Sequence, residues 1–214
     1  EIACQAREGF FDQHQGENTK RIFPLVAASI GPYGAYLADG SEYHGRYKIS
    51  EKELSEFHEE RMTILANSSA DVLACETIPS YPEAEVISEL IPHYPERYFF
   101  MSFSCQDENQ IYDGTQIEKV LSLFIHNPQV IALGVNCTAP QYISGLIKKI
   151  RAIATHQEII VYPNSGEFYN AKIKSWVGES DPNDFALLAE KWFNKGARII
   201  GGCCRTGPDH IRQI

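Results

Sequence analysis

Apolar segments of strand length alternate with segments of helical periodicity along most of the chain. Each strand segment is followed by apolar residues at helical spacing, or by the beginning of such a pattern. The strand segments cover residues 23–30, 71–75, 98–104, 130–135, 158–162 and 198–202. Short unbroken apolar runs are typical of strands that are buried on both faces. Strict alternation of strands and helices therefore predicts a parallel sheet with right-handed crossovers.

Capping signals indicate where several of the predicted helices begin and end. Three pairs have the spacing of a capping box: Ser50 with Glu53, Ser80 with Glu83, and Thr115 with Glu118. Asp181 followed by Pro182 starts a later helix in the preferred order of N-cap residue and proline, and Gly196 ends that helix. Two polar stretches, 12–21 and 164–180, are predicted to be loops.

Two architectures satisfy the alternation: an open doubly wound sheet and a closed barrel. No glycine-rich phosphate loop follows any strand segment, which weakens the nucleotide-binding open sheet. Polar residues instead cluster where strands end, which is the catalytic face of a barrel. They are Glu76, Asn136, Cys137, Ser165, Glu167, Cys203 and Cys204. A (β/α)8 barrel has eight strands and about 250 residues, so residues 1–214 are predicted to be a single α/β barrel domain that lacks its first two strands.

Three cysteines occupy similar positions just after predicted strands. Cys203 and Cys204 follow two apolar residues and two glycines, and glycine would let the backbone turn sharply and bring both sulfurs to one side. Cys137 also follows an apolar run that contains a glycine. Catalytic zinc sites commonly use three protein ligands and keep a fourth position open. The pattern indicates a metal site, and the alternative is that these cysteines are small buried core residues.

Charge and cysteine usage exclude several classes of protein. The net charge is −9, which argues against nucleic acid and anionic membrane surfaces as partners. No apolar run approaches the roughly 20 residues of a membrane-spanning helix. Cys4, Cys75 and Cys105 have no partner motif and are predicted to be free thiols in a reducing, cytoplasmic environment. Because the first residue is not Met, we expect the chain to be a fragment.

Several segments, taken together and in this order, resemble homocysteine S-methyltransferases of the type that uses S-methylmethionine. The resemblance runs through residues 29–36, 40–43, 75–79, 134–137, 161–167 and 196–206. It implies a (β/α)8 barrel of which family strands 3–8 are present here. It also implies zinc held by Cys137, Cys203 and Cys204, and the absence of an N-terminal Asp-Gly motif that helps to hold the amino-acid substrate.

The implied reaction moves a methyl group from S-methylmethionine, or from S-adenosylmethionine, to homocysteine and gives methionine. A free thiol has a pKa of about 8.5 and is a poor nucleophile until it loses its proton, which coordination to zinc would achieve. A sulfonium donor leaves as a neutral thioether, so no general acid is needed. The alternatives are a betaine-type donor, or a truncated zinc-binding or interaction module without catalysis.

Four polar residues are candidates for contact with the substrate. Glu76 is the candidate for the homocysteine ammonium group, with a solvated loop carboxylate as the alternative. Asn136 would bind substrate or only its own turn. Ser165 and Glu167 would bind substrate or cap the following turn. Tyr33, Tyr36 and Tyr43 would face a cationic donor or form a packed lid.

Overall fold

Six parallel strands form the main sheet of the computed structural model, which describes residues 1–14, 22–170, 175–178 and 180–214. In sheet order they are β1 (Ala27–Ile30), β2 (Val72–Ile78), β3 (Phe99–Phe103), β4 (Val130–Asn136), β5 (Glu158–Tyr162) and β8 (Ala197–Ile200). All five neighbouring pairs are parallel. Between β5 and β8, the strands β6 (Phe168–Asn170) and β7 (Ser175–Val177) form a separate antiparallel pair.

Helices precede, connect and follow the parallel strands. They are α1 (Ile2–Gln13), α2 (Tyr33–Leu37), α3 (Glu51–Ala66), α4 (Tyr81–Leu90), α5 (Ile117–Leu121), α6 (Pro140–Ile153), α7 (Pro182–Asn194) and α8 (Pro208–Gln213). Short 3-10 turns cover Ser41–Tyr43 and Ile91–His93. The predicted alternation and the parallel sheet are therefore confirmed. Within the described ranges, none of the helices combines the length and hydropathy needed to cross a bilayer.

One apolar core lies between the sheet and the helices that cover it. Phe99, Met101 and Leu133 on the central strands are fully buried, as are Ile147 on α6 and Trp192 on α7. The two edge strands contribute fewer buried side chains to this core. In the part of the chain that the structure describes, β1 pairs only with β2 and β8 only with β5. Ile199 on β8 is accordingly 44% exposed.

Two of the predicted caps are confirmed and two are wrong. Ser50 and Glu53 form a complete capping box, and Asp181 accepts a hydrogen bond from the Asn183 backbone N–H. Glu83 does not cap α4: it is fully buried, accepts a hydrogen bond from the Tyr33 backbone N–H at 2.6 Å and lies 2.8 Å from His58.

Glu118 likewise makes no cap at the start of α5. Its Oε1 is 2.6 Å from Lys149 Nζ on α6. In both failed cases, a partner that is distant in the sequence replaces the local backbone N–H.

The predicted strand ends and loops are right in part. β5 matches its predicted bounds, whereas β2 continues to Ile78, so that Glu76 and Thr77 lie within the strand. The predicted loop 164–180 contains the β6–β7 pair, which the prediction missed; residues 171–174 and 179 of this loop lie outside the described ranges. Residues 15–21 of the polar stretch 12–21 also lie outside them.

Candidate metal and substrate site

The carboxyl ends of the parallel strands bring together three thiols. Cys137 Sγ lies 2.6 Å from Cys203 Sγ and 3.6 Å from Cys204 Sγ, and all three sulfurs lie within 4.8 Å of one another. For comparison, a disulfide bond is about 2.05 Å long, and two thiolates on tetrahedral zinc with Zn–S bonds of about 2.3 Å are roughly 3.8 Å apart. The residues that the structure describes contain no other such metal-binding group.

The backbone conformation of Cys137 itself, and not that of a glycine, sets the direction of its thiol. Cys137 has φ +46°, a left-handed conformation that costs an L-residue about 1–2 kcal/mol. This turn at the end of β4 directs its sulfur toward the loop after β8. Gly201 and Gly202, which were predicted to permit a sharp turn, both lack a positive φ.

Gly202 is needed for a different reason, which is close packing. A Cβ there would lie 2.6 Å from Thr206 Cβ, and the Thr206 hydroxyl donates a hydrogen bond to the Cys203 carbonyl at 2.7 Å. The left-handed residue in this segment is Arg205, with φ +66°. The loop that carries Cys203 and Cys204 is therefore closed by Thr206, and glycine provides the space.

Hydrogen bonds within the cluster separate the pKa values of its thiols. Hydrogen bonds from Cys137 and Cys203 lower the pKa of Cys204 to about 3, whereas the contacts with Cys203 and Cys204 raise the pKa of Cys137. These contacts favour the thiolate form at Cys204 over Cys137. Thiolates are the form of cysteine that binds metal, and soft sulfur ligands suit zinc. Cys137, Cys203 and Cys204 could thus hold a zinc ion.

The remaining three cysteines are free, as predicted. Cys75 and Cys105 are completely buried, and burial raises the pKa of both thiols. Cys4 lies on α1 near Ser69, far along the chain from the cluster. A buried neutral thiol is a poor nucleophile and a poor ligand, so Cys75 and Cys105 differ chemically from the three clustered cysteines.

Asn136 is buried beside the cluster and its side chain is occupied. Its Oδ1 accepts hydrogen bonds from the Thr77 backbone N–H and the Ser102 hydroxyl, each at 2.9 Å. Its Nδ2 donates to Thr77 Oγ1 at 2.7 Å. Asn136 is 1% exposed. These contacts favour a role in holding the end of β2 over direct contact with a ligand.

Glu76 faces a cavity on the inner side of the sheet. The Tyr162 hydroxyl donates a hydrogen bond to Glu76 Oε2 at 2.8 Å and lies 2.5 Å from the Ser102 hydroxyl. Burial, and next the Glu76 charge, raise the pKa of Tyr162, so the phenol keeps its proton and remains a donor. The cavity has a volume of about 340 Å³ and apolar walls that include Phe100 and Ile160.

Ser165 and Glu167 brace the loop of Cys204. The Ser165 backbone N–H donates to the Cys204 carbonyl at 3.1 Å, and its hydroxyl donates to Glu167 Oε2 at 3.1 Å. Arg205 Nε donates to the same carboxylate oxygen at 3.1 Å, and these bonds lower the pKa of Glu167. Arg205 thus ties the loop after β8 to the loop after β5.

A family model described as Homocysteine S-methyltransferase matches residues 1–214. This chain belongs to the homocysteine S-methyltransferase family. It is 49% identical over 213 residues to homocysteine S-methyltransferase YbgG of Bacillus subtilis (strain 168), covering 100% of this chain and 67% of that protein. It is also 41% identical over 223 residues to a selenocysteine Se-methyltransferase of Brassica oleracea var. italica, of which it covers 64%.

Solved structures of another family member have the same fold. The metallated form of the homocysteine methyltransferase MmuM from Escherichia coli matches with a TM-score of 0.84 at 38% identity, over 99% of this chain and 66% of that one. The apo form matches with a TM-score of 0.77 at 32% identity. The chain thus spans about two thirds of the length of these relatives. The predicted fold is confirmed: this family has a (β/α)8 barrel, and six of its β-α units are present here.

Several polar residues at this family site were missed by the sequence analysis. Ser102 and Tyr162 connect Asn136 to Glu76, and Glu42 and Tyr112 line a cavity together with Tyr43. Ser102 and Tyr162 follow the alternation of inward-facing residues on β3 and β5, which was the available signal. Of the three tyrosines singled out, Tyr33 and Tyr36 pack around Phe57, and Tyr43 lines a cavity with Cys137 and Cys204.

Proposed function

We propose that this chain transfers a methyl group from S-methylmethionine, or from S-adenosylmethionine, to homocysteine, with zinc at Cys137, Cys203 and Cys204. The observation that carries this proposal is the group of three thiols in a member of this family; Gly202, the residue before Cys203, lines the Glu76 cavity. Zinc bound there would supply a Lewis acid that lowers the pKa of the homocysteine thiol. Thiol ligands must stay reduced, which supports a cytoplasmic location.

The transfer needs no proton donor for its leaving group. The homocysteine thiol releases its proton to the solvent, and its sulfur attacks the methyl carbon of the donor. The donor's sulfur–methyl bond breaks, and its electron pair stays on the donor sulfur, which becomes a neutral thioether. With S-methylmethionine, both products are methionine.

Glu76 is our candidate for the homocysteine ammonium group. A carboxylate forms strong charge-assisted hydrogen bonds with an ammonium group, and the apolar walls at Phe100 and Ile160 suit the methylene groups of the substrate. Tyr162 fixes the orientation of the carboxylate through its hydroxyl. Asn136, Ser165 and Glu167 then act as positioning residues, because their side chains bind other parts of the protein.

Replacing Glu76 with glutamine is expected to raise the KM for homocysteine by about 10- to 100-fold, since a hydrogen bond to a charged group contributes about 1.5–3 kcal/mol. Tyr162→Phe should raise it by less, about 3- to 10-fold, because the carboxylate that would contact the ammonium group remains and only the hydrogen bond that orients it is lost. The KM for the methyl donor should change little in both. Steady-state kinetics with each substrate varied separately would measure this, and equal increases for both substrates would contradict the assignment.

The function itself is tested by methyl transfer from a donor with an isotopically labelled methyl group. We expect the zinc-loaded chain to form labelled methionine from homocysteine and S-methylmethionine. S-adenosylmethionine and betaine are the comparison donors, and faster transfer from betaine would favour the alternative donor class. Stoichiometric zinc without transfer from any donor would favour a non-catalytic zinc-binding module.

A further inference from the structure

Two fully buried ionisable side chains take no part in the reaction proposed above. Glu83 on α4 and His58 on α3 are both inaccessible to solvent, and His58 Nε2 lies 2.8 Å from Glu83 Oε1. The same carboxylate oxygen accepts a hydrogen bond from the Tyr33 backbone N–H at 2.6 Å. Glu83 therefore joins α3 and α4 to the first residue of α2.

The buried pair is not an arrangement that favours stability. His58 Nδ1 and Glu83 Oε2 are both buried, and neither has a hydrogen-bond partner among the described residues. A buried polar atom without a partner costs free energy. Apolar residues of similar volume often replace a buried ionisable pair without loss of stability. What the pair provides, and apolar residues would not, is a hydrogen-bond acceptor for the Tyr33 amide.

The Tyr33 amide begins the segment that connects β1 to α3, residues 33–47. Gly34, the next residue, packs directly against a later part of this segment. A Cβ at Gly34 would lie 2.6 Å from the Glu42 backbone nitrogen and 2.8 Å from a ring carbon of Tyr47. The rings of Tyr33 and Tyr47 also contact each other, with centroids 5.6 Å apart. A displacement of Tyr33 would therefore displace Glu42 and Tyr47 as well.

The same segment forms one wall of the cavity at the cysteines. Glu42 and Tyr43 line this cavity together with Cys137 and Cys204. Near its end the segment packs against the connection from β2 to α4, because a Cβ at Gly45 would overlap the Pro79 carbonyl oxygen. Glu83 lies on α4, just beyond that connection. Both attachments of the segment are thus made by the chain that follows β2.

We propose that the Glu83–His58 pair positions segment 33–47 for methyl transfer. Glu83 fixes the Tyr33 amide and so holds Glu42 and Tyr43 beside the metal-binding cysteines, and His58 keeps the Glu83 carboxylate in the required orientation. Neither Glu83 nor His58 is among the described residues that line the cavity at the cysteines or the Glu76 cavity, so both are positioning residues. The expected effect on turnover rests on the proposed function, whereas the effect on the segment does not.

Glu83→Leu, which removes the acceptor, tests the structural part of the proposal. Amide hydrogen exchange in residues 33–47, followed by mass spectrometry, should become about tenfold faster or more, because a hydrogen bond to a charged group is lost. Exchange in β4 and α6 should stay unchanged. Glu83→Gln keeps a carbonyl oxygen for the Tyr33 amide and should restore most of the protection. Glu89→Leu, at an exposed position of the same helix, is the matched control and should exchange like the parent.

Steady-state kinetics of the zinc-loaded chain test the functional part. With S-methylmethionine at a fixed low concentration, Glu83→Leu should transfer the methyl group about tenfold more slowly or less, and Glu83→Gln within about threefold of the parent rate. The KM for homocysteine should stay within about twofold, because no residue of segment 33–47 lines the Glu76 cavity. An equally large rise in this KM would contradict the proposal. If the parent transfers no methyl group, the proposed function fails and hydrogen exchange alone decides this inference.

Replacing both residues separates positioning from stability. The double variant His58→Leu with Glu83→Leu leaves no buried polar atom of the pair unpaired, so we expect its melting temperature to stay close to that of the parent. Segment 33–47 should still exchange about tenfold faster. Parent-like exchange in this segment would overturn the inference, and so would faster exchange spread evenly over the chain with a lower melting temperature. The double variant replaces Glu83→Leu if the single variant does not fold.

Discussion

Replacing Cys203 with serine is expected to reduce bound zinc from one ion per chain to nearly none and to abolish methyl transfer. Structural zinc sites with four ligands contribute about 10–16 kcal/mol, or roughly 3–4 kcal/mol per ligand, so losing one should weaken binding by about 10²- to 10³-fold. Cys203 lies closest to Cys137 in the cluster and has no other thiol to replace it among the described residues. Metal analysis of the purified variant after dialysis would measure the loss.

Cys4→Ser is the matched control for this experiment. Cys4 is a free cysteine that is buried, lies on α1 and contacts Ser69. We expect this variant to keep its full zinc content. If Cys203→Ser retained the same zinc as Cys4→Ser in a folded sample, the metal would have to bind elsewhere.

Replacing Gly134 with alanine should strongly destabilise the sheet next to the metal site. Gly134 pairs with Ile160 across β4 and β5, and an added Cβ would overlap the Ile160 carbonyl oxygen. Because the obstacle is backbone in the middle of a sheet, no side-chain rotation relieves it. We expect a loss of about 4 kcal/mol or more, out of a total stability of roughly 5–15 kcal/mol. Thermal unfolding followed by circular dichroism would detect it.

Gly31→Ala, just after β1, provides the comparison. No atom lies within 4 Å of the position that its Cβ would occupy, and its φ is not positive. We therefore expect its melting temperature to stay close to that of the parent chain. A Gly134→Ala variant as stable as Gly31→Ala would mean that β4 and β5 do not pair in the register described above.

Local patterns in the sequence were sufficient to predict the main strands and helices of this fold. The bounds of β5 were predicted correctly because Pro163 cannot continue a parallel ladder. The meeting of Cys137 with Cys203 and Cys204 was also predictable, since carboxyl ends of parallel strands lie at one edge of the sheet.

The failed predictions concern side chains whose partners are far away in the sequence. Glu83 has the spacing of a capping residue, yet its partner His58 is 25 positions away on α3. Glu76 and Tyr162 are 86 positions apart, and only the order and register of the strands bring them together. Hydrogen bonds of this kind cannot be derived from spacing along one chain segment, because each depends on how several strands are aligned.

The hydrogen bonds around Asn136 have a consequence for how the barrel strands find their alignment. They run from Thr77 on β2 to Asn136 on β4, then to Ser102 on β3, Tyr162 on β5 and back to Glu76 on β2. A slip of one residue in any of these strands would turn its polar side chain to the opposite face and leave buried groups without partners. The bonds that orient Glu76 thus also penalise misaligned sheets during folding, so a chain with the wrong strand register would lose stability and the substrate carboxylate together.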